Sequence, residues 1–313
     1  MSIPLQIPSP LEQLKSPLLE KHEIEIWIKR DDLIHQEISG NKWRKLELNI
    51  KEAKRKKLPL LTFGGPFSNH IAATAFACSS SDIKSIGIIR GDEFSELNHT
   101  LDLANKNGMQ LHFVTREEYQ LKSEPAFLQS LHELFGDFHL VPEGGANIEG
   151  ATGSRKIREE IQQKFDVLCC TAGTGTTASG ILSALNTNEQ LEVYPALKGG
   201  GYLEIEILKM LQLEDSPKLL EQKKSQLELI NDYHFGGFAK LKPMKELVDF
   251  VNWFYKEFGI PLDLIYNGKM MFGVFDRIKK GRYKKGTKLV AIHCGGLQGN
   301  EGMEKRFGFK LEY

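Results

Sequence analysis

Along most of the chain, apolar runs of strand length alternate with stretches in which apolar positions recur every three or four residues. That alternation is the pattern of parallel strands covered by helices on both faces, an α/β protein. The spacing predicts strands at 25–28, 58–63, 85–89, 110–114, 167–170, 191–195, 227–230 and 289–293. Behind Pro243, the residues Leu247, Val248, Val251, Phe254, Tyr255 and Phe258 repeat at helical spacing, and an aromatic stripe of that kind reads as core. No fixed-period repeat and no low-complexity linker divides the sequence, so two domains would interleave rather than follow one another. The turn-forming run Pro142-Glu143-Gly144-Gly145-Ala146-Asn147 marks the boundary. The expectation is a smaller domain over 46–140 and a larger one from 1–45 together with 141–313.

Composition adds limits. With 313 residues, 41% hydrophobic and 26% charged, the chain can bury a large core and suits about two domains. Lys+Arg and Asp+Glu number 41 each, so no overall field recruits nucleic acid or an anionic membrane. The basic run from Lys51 to Lys57 reads as the solvated end of a helix, where cations suit the dipole. Residues 1–8 carry no basic segment followed by an apolar one, and no apolar stretch approaches the roughly 20 residues of a membrane span. The expected location is the cytoplasm. Cys78, Cys169, Cys170 and Cys294 lack metal-ligand or redox spacing; free buried thiols are the default, with Cys294 the exception to watch.

Three segments carry chemistry. In Ser39-Gly40-Asn41-Lys42-Trp43-Arg44-Lys45-Leu46, Lys42 lies in a small-residue turn leading into an amphipathic helix. Backbone amides and a helix N-terminus there depress an amine pKa, which suits a nucleophile that forms a Schiff base; alone, such a lysine is a weak signal and reads first as a surface charge, because lysine is mostly exposed. The second segment, Gly173-Thr174-Gly175-Thr176-Thr177-Ala178, follows a buried strand and opens a helix. Free amides and threonine hydroxyls at a helix start bind a phosphate. The run also satisfies G-x-G-x-x-A, a dinucleotide fingerprint, but Glu192 falls near the beginning of the next strand rather than its end. Glycines that serve only a tight turn are the third reading. The last segment is Gly64-Gly65-Pro66-Phe67-Ser68-Asn69-His70, again between a strand and a helix of small residues. Ser68 is placed at the N-cap, either simply capping or helping to hold a carboxylate at the helix start. Asn69 suits a ring hydroxyl of a cofactor, and His70 an acid, a polar wall or a partly buried ring with a backbone partner.

Taken in order, Gly40-Asn41-Lys42-x-Arg44-Lys45-Leu46, Gly64-Gly65 with Ser68-Asn69-His70, Pro142-Glu143-Gly144-Gly145-x-Asn147, Thr174-Gly175-Thr176-Thr177, Tyr266-x-Gly268-Lys269 and His293-x-Gly295-Gly296 resemble one family. It is the 1-aminocyclopropane-1-carboxylate deaminase and D-cysteine desulfhydrase family of pyridoxal phosphate enzymes. Matching features run from about Ile28 to Gly296. The resemblance implies a tryptophan-synthase-β-like fold of two αβα domains with pyridoxal 5'-phosphate in the cleft between them, commonly in a homodimer. It implies that Lys42 carries the cofactor and shuttles protons, that Asn69 holds the ring oxygen, and that Gly173, Thr174, Gly175, Thr176 and Thr177 hold the phosphate. Ser68 with the amides of Asn69 and His70 would clamp the carboxylate of a small amino acid, and Tyr266 would lie against the ring and the substrate. Asn267 and Cys294 would stand near the pyridine nitrogen.

Departures from the family shape the choice of reaction. Gly236-Gly237-Phe238-Ala239 replaces a Gly-Tyr-Gly type turn near the substrate, so a hydroxyl is missing if Phe238 is the matching position. The family's deaminases carry glutamate after the tyrosine and leucine between the histidine and the glycine pair; its desulfhydrases carry small hydroxyl residues at both. Here Asn267 and Cys294 supply no full negative charge unless Cys294 ionises, so the electron sink is weak. His70 matches the desulfhydrases. The expected reaction is β-elimination from D-cysteine or a related D-amino acid, giving pyruvate, ammonia and sulfide. Cyclopropane opening is the runner-up, and a nicotinamide-dependent oxidoreductase or a catalytically idle amino-acid binder the more distant alternatives.

Overall fold

The computed structural model describes residues 3–91, 97–212, 216–242 and 244–313; Pro243 lies outside the described residues. Among the described residues, ten strands form two sheets. One contains β3 (Leu60–Gly64), β4 (Ser85–Arg90), β5 (Met109–Val114) and β6 (His139–Val141), all parallel, in the order β5-β4-β3-β6. The other has six strands in the order β1-β2-β10-β7-β8-β9. These are β1 (Leu11–Leu14), β2 (Glu25–Lys29), β7 (Val167–Ala172), β8 (Gln190–Pro195), β9 (Leu227–Leu229) and β10 (Lys288–Ile292). Among the described residues, only the edge pair β1-β2 is antiparallel.

All eight strands expected from the pattern are present within a residue or two of their bounds. The two missed strands, β1 and β6, are short. The first lies between Pro10 and Pro17, and the second stops at Pro142, so neither offers an apolar run long enough to register. The helix behind residue 243 runs Met244–Phe258 and buries Leu247, Val248, Val251 and Phe254, whereas Tyr255 turns away to pack on Tyr313. The basic run is solvated as expected: Lys51 pairs with Glu47, and Arg55 and Lys56 pair with Glu52, near the end of helix Asn41–Lys56. All four cysteines are buried and free.

Strand β3 is buried at every position, as a strand covered on both faces must be. The following helix, Asn69–Ser79, carries Ala72, Ala73, Ala75 and Ala77, and these small side chains let it lie close to the sheet. A Cβ added at Gly64 would come within 2.4 Å of Ile71 on that helix. The turns that leave β3, β7 and β10 all emerge at carboxyl ends of parallel strands, where open α/β sheets place their ligands.

Helix Asn41–Lys56 connects the two sheets. Its Trp43, Leu46, Ile50 and Ala53 pack with Leu60, Ala73, Cys78 and Val141. Its first turn is held by a buried ion cluster: the Arg44 guanidinium donates to both oxygens of Asp31 at 3.0 and 3.1 Å and also to Glu160, which takes a further bond from Lys29 at 2.7 Å. Ser9 closes the cluster, its hydroxyl donating to Asp31 at 2.6 Å and its carbonyl accepting from Lys29. Arg44 is fully buried, so removing it strands two carboxylates with one lysine between them. Arg44→Met should therefore lower the unfolding free energy by roughly 3–5 kcal/mol. Urea denaturation checks this, and a loss below about 1 kcal/mol would contradict the role given to the cluster.

Candidate active site

Lys42 is the second residue of helix Asn41–Lys56, just after Gly40, whose φ of 69° places it in the left-handed region. Its Nζ donates to Asn41 Oδ1 at 2.8 Å, while Asn41 Nδ2 donates to Thr177 Oγ1 at 3.0 Å. One asparagine thus joins the amine to the glycine-rich loop, although the two lie far apart in sequence. Burial is the chief cause that lowers the Lys42 pKa, against the opposing pull of Cys294 and Asp263. The direction is the one expected from the sequence, but desolvation leads rather than the helix N-terminus.

The loop after β7 has the form of an anion cradle. Gly175, at φ 80°, is the N-cap of helix Thr176–Ala184 and places no side chain over its first amides. Thr174 and Thr176 join their hydroxyls at 2.9 Å, and Thr176 and Thr177 are buried. A Cβ at Gly173 would sit 3.3 Å from the Tyr266 hydroxyl, so that phenol borders the same loop. Tyr266 has its pKa raised by burial and by neighbouring Asp263 and Glu143, which keeps it a neutral hydrogen-bond donor.

Asn69 begins helix Asn69–Ser79 and lines one cleft with Lys42, Cys294 and Gly296. Ser68 is the N-cap, its hydroxyl accepting from the Ile71 amide at 3.4 Å with its own proton free to donate. His70 is buried, and its Nε2 lies 3.0 Å from the Thr62 hydroxyl. Because Thr62 donates its only hydroxyl proton to the Val141 carbonyl, His70 must be the donor in that pair. Its Nδ1 is buried without a partner. Burial and the charges of Lys42 and Lys45 push the His70 pKa well below its ordinary value, so the ring is a neutral wall.

Asn267 and Cys294 come together as expected, but their polar groups are largely engaged within the protein. Asn267 Nδ2 donates to Asp263 Oδ2 and to the Gly295 carbonyl, and its Oδ1 accepts from the Cys294 amide at 2.9 Å. Both amide hydrogens are in use, so a cofactor nitrogen would find no unengaged donor on this residue. Burial, the largest influence, pushes the Cys294 thiol up to about 11, and it does not ionise near neutral pH.

Sequence reasoning missed two charged residues. Asp263 is fully buried and accepts from the amides of Ile265, Tyr266 and Asn267, which folds the turn that presents Tyr266. An aspartate three and four residues ahead of a tyrosine and an apolar helix was the available signal. Lys45 lies three residues beyond Lys42 on the same face of the helix, and its Nζ donates to the Gly144 carbonyl at 2.9 Å. Burial first, then repulsion from Lys42, lower its pKa to about 7. Glu192, the residue a dinucleotide would need, is buried within β8 and bound by Tyr194, Tyr283 and Arg277. It is therefore closed to a ribose.

An amine of lowered pKa tied to an uncapped, threonine-rich helix start fits pyridoxal phosphate. The chain matches the family described as pyridoxal-phosphate dependent enzyme over residues 4–295, and it belongs to that family. It is similar to the bifunctional D-cysteine desulfhydrase/1-aminocyclopropane-1-carboxylate deaminase, mitochondrial, of Arabidopsis thaliana, at 29% identity over 94% of this chain and 77% of that protein. A putative 1-aminocyclopropane-1-carboxylate deaminase of Thermotoga maritima is 29% identical over 96% and 97% of the two chains. The D-cysteine desulfhydrase of Klebsiella pneumoniae is 28% identical over 92% of each. Among solved structures, an ACC deaminase homologue superposes with a TM-score of 0.79 at 24% identity, covering 97% of this chain and 95% of the other, and shares the fold. The chain is a pyridoxal phosphate-dependent enzyme of mainly parallel α/β sheets. Among the described residues, no helix is long and apolar enough to cross a membrane.

The buried Lys45 amine gives a stability prediction. Its native pKa of about 7 lies below the ordinary 10.5, so between these values the unfolded chain binds a proton that the folded chain does not. Stability must then rise with pH across that window, by up to about 1.4 kcal/mol per pH unit for this group. In protein stripped of cofactor, wild type should gain stability over Lys45→Met between pH 7 and pH 9, measured by urea unfolding. Equal pH dependence in the two proteins would contradict the assignment.

Proposed function

We propose that the chain is a lyase that eliminates hydrosulfide from D-cysteine or a related small D-amino acid, giving pyruvate, ammonia and sulfide with the uptake of one water. The observation that carries this reading is the Asn41 bridge, which holds the Lys42 amine beside Thr177 of the glycine loop. Pyridoxal phosphate, when bound, supplies an electron sink for the bond broken at the substrate's α-carbon. In this reading the amides and hydroxyls of Gly173, Thr174, Gly175, Thr176 and Thr177 bind its phosphate, and Asn69 holds its ring oxygen. Lys42 Nζ would give way to the substrate amine, accept the α-proton and pass a proton to the departing hydrosulfide as the carbon–sulfur bond breaks. The lowered pKa of this amine supports both duties. Ser68, with the amides of Asn69 and His70, binds the substrate carboxylate at the helix start, and Tyr266 orients the substrate as a neutral donor.

The preference for elimination over cyclopropane opening rests on charge. Opening a ring that has no α-hydrogen needs a strong sink, and neither the Asn267 amide nor the protonated Cys294 thiol supplies a negative charge. The relative from Klebsiella pneumoniae is named for the same activity on D-cysteine. The alternative is a 1-aminocyclopropane-1-carboxylate deaminase giving 2-oxobutanoate and ammonia. It is supported by the Asp263 carboxylate one hydrogen bond behind Asn267 and by the name of the Thermotoga maritima relative.

The same proposal includes a larger domain of 1–45 and 141–313, a smaller one of 46–140, and a homodimer, the last by resemblance to the family. The four free buried thiols support a cytoplasmic location. The ratio of kcat/KM for D-cysteine to that for 1-aminocyclopropane-1-carboxylate should exceed one. Assays of 2-oxo acid release on both substrates measure it, and a ratio below one would give the function to the alternative.

A further inference from the structure

Beside the site runs a segment under unusual backbone strain. Phe235, Gly236, Gly237 and Ala239 have φ of 48°, 89°, 114° and 47°, and two of the four are not glycine. Such a path persists only where its surroundings hold it. Its main support is helix Asn267–Lys279, which has Tyr266 as its N-cap; Arg306 adds a long bond of 3.4 Å to the Ala239 carbonyl, and Gly237 lies against the Lys198 backbone. Lys269, only 2% exposed, donates from Nζ to the carbonyls of His234 at 3.0 Å and Gly237 at 2.8 Å. Phe272, three residues further on the same face, receives the ring of Phe235 edge-on at 5.0 Å. Within the loop, the Gly236 amide donates to His234 Nδ1 and the Gly237 amide to the His234 carbonyl. The product of this bracing is the placement of Phe238. Its ring stands 6.0 Å from that of Tyr266 at 67°, yet remains 49% exposed.

A buried ammonium is costly to keep, and methionine would fill the same volume without that cost. What the ammonium offers is charge-assisted bonds to two carbonyls of a strained loop. We propose that Lys269 is a positioning residue: it latches the 234–240 loop to helix Asn267–Lys279 so that Phe238 walls the Tyr266 ring and narrows the substrate side of the cleft. The inference rests on the proposed function only in taking Tyr266 to face the substrate. Lys269 touches no reacting atom in this account. It sets substrate affinity through Phe238.

The test uses the holoenzyme, with Lys269→Met, Phe238→Ala and the double variant. Both single variants should keep the cofactor's visible absorbance, raise KM for D-cysteine about fivefold or more, and leave kcat within about twofold. Because the latch acts through Phe238, the double variant should be no worse than the poorer single one, a non-additivity that a merely structural lysine would not show. Hydrogen exchange gives a readout independent of substrate: the Gly237, Lys240 and Lys242 amides should exchange about tenfold faster in Lys269→Met, while those of helix Asn267–Lys279 hold. An unchanged KM in either single variant, additive effects in the double, or unchanged loop exchange would overturn the latch. If Lys269→Met does not fold, Phe238→Ala with unchanged KM, or wild-type loop amides exchanging like a free peptide, overturns it equally. A parent enzyme idle on D-cysteine would strike the proposed reaction, and the exchange comparison would still decide the latch.

Discussion

The site depends on how closely two backbone segments approach. A Cβ at Gly40 would lie 1.7 Å from the Cys294 carbonyl oxygen and 2.6 Å from the Gly295 nitrogen, and the left-handed φ of Gly40 is equally hostile to a side chain. Only glycine lets the turn before Lys42 lie directly on the turn after β10. From that contact the rest follows: Asn41 reaches Thr177, and Lys42 enters a cleft with Asn69 and Gly296. The Arg44 cluster holds the approach from the other side, because Asp31 both binds the guanidinium and accepts the Gly40 amide on its carbonyl.

Asp263 is the second organising group. Its carboxylate gathers three successive amides and the Asn267 side chain, fixing the turn that presents Tyr266, while Asn267 is pinned to Gly295 and Cys294. The β10 turn is thus held by Gly40 on one flank and by Asn267 on the other. A buried network of this kind rigidifies when its polar groups have partners, and here it fixes the turn that presents the Tyr266 phenol.

Parallel strands such as β3 and β7 were legible because burial on both faces demands unbroken apolar runs; β1 and β6 were not, because three or four residues beside prolines carry no period. The glycine loop and Lys42 were legible as chemistry because glycine, threonine and lysine have few other reasons to adjoin helix starts. Their proximity was not, since it depends on Asn41 and on a contact between residues 40 and 294 that no local pattern encodes. The same limit explains Asn267 and Glu192. Sequence shows a side chain's capacity for hydrogen bonds, whereas only the fold shows that Asp263, Gly295 and Cys294 engage the first and two tyrosines and an arginine the second.

Two amines, the half-buried Lys42 and the buried Lys45, stand one turn apart with lowered pKa values, and the cofactor is assigned to only one of them. Borohydride reduction of the holoenzyme followed by peptide mapping distinguishes them most directly, because reduction fixes the cofactor to the nitrogen that carries it. The label is expected on Lys42, with Lys45 unmodified. A label on Lys45, or on any lysine that leaves Lys42 free, would contradict it.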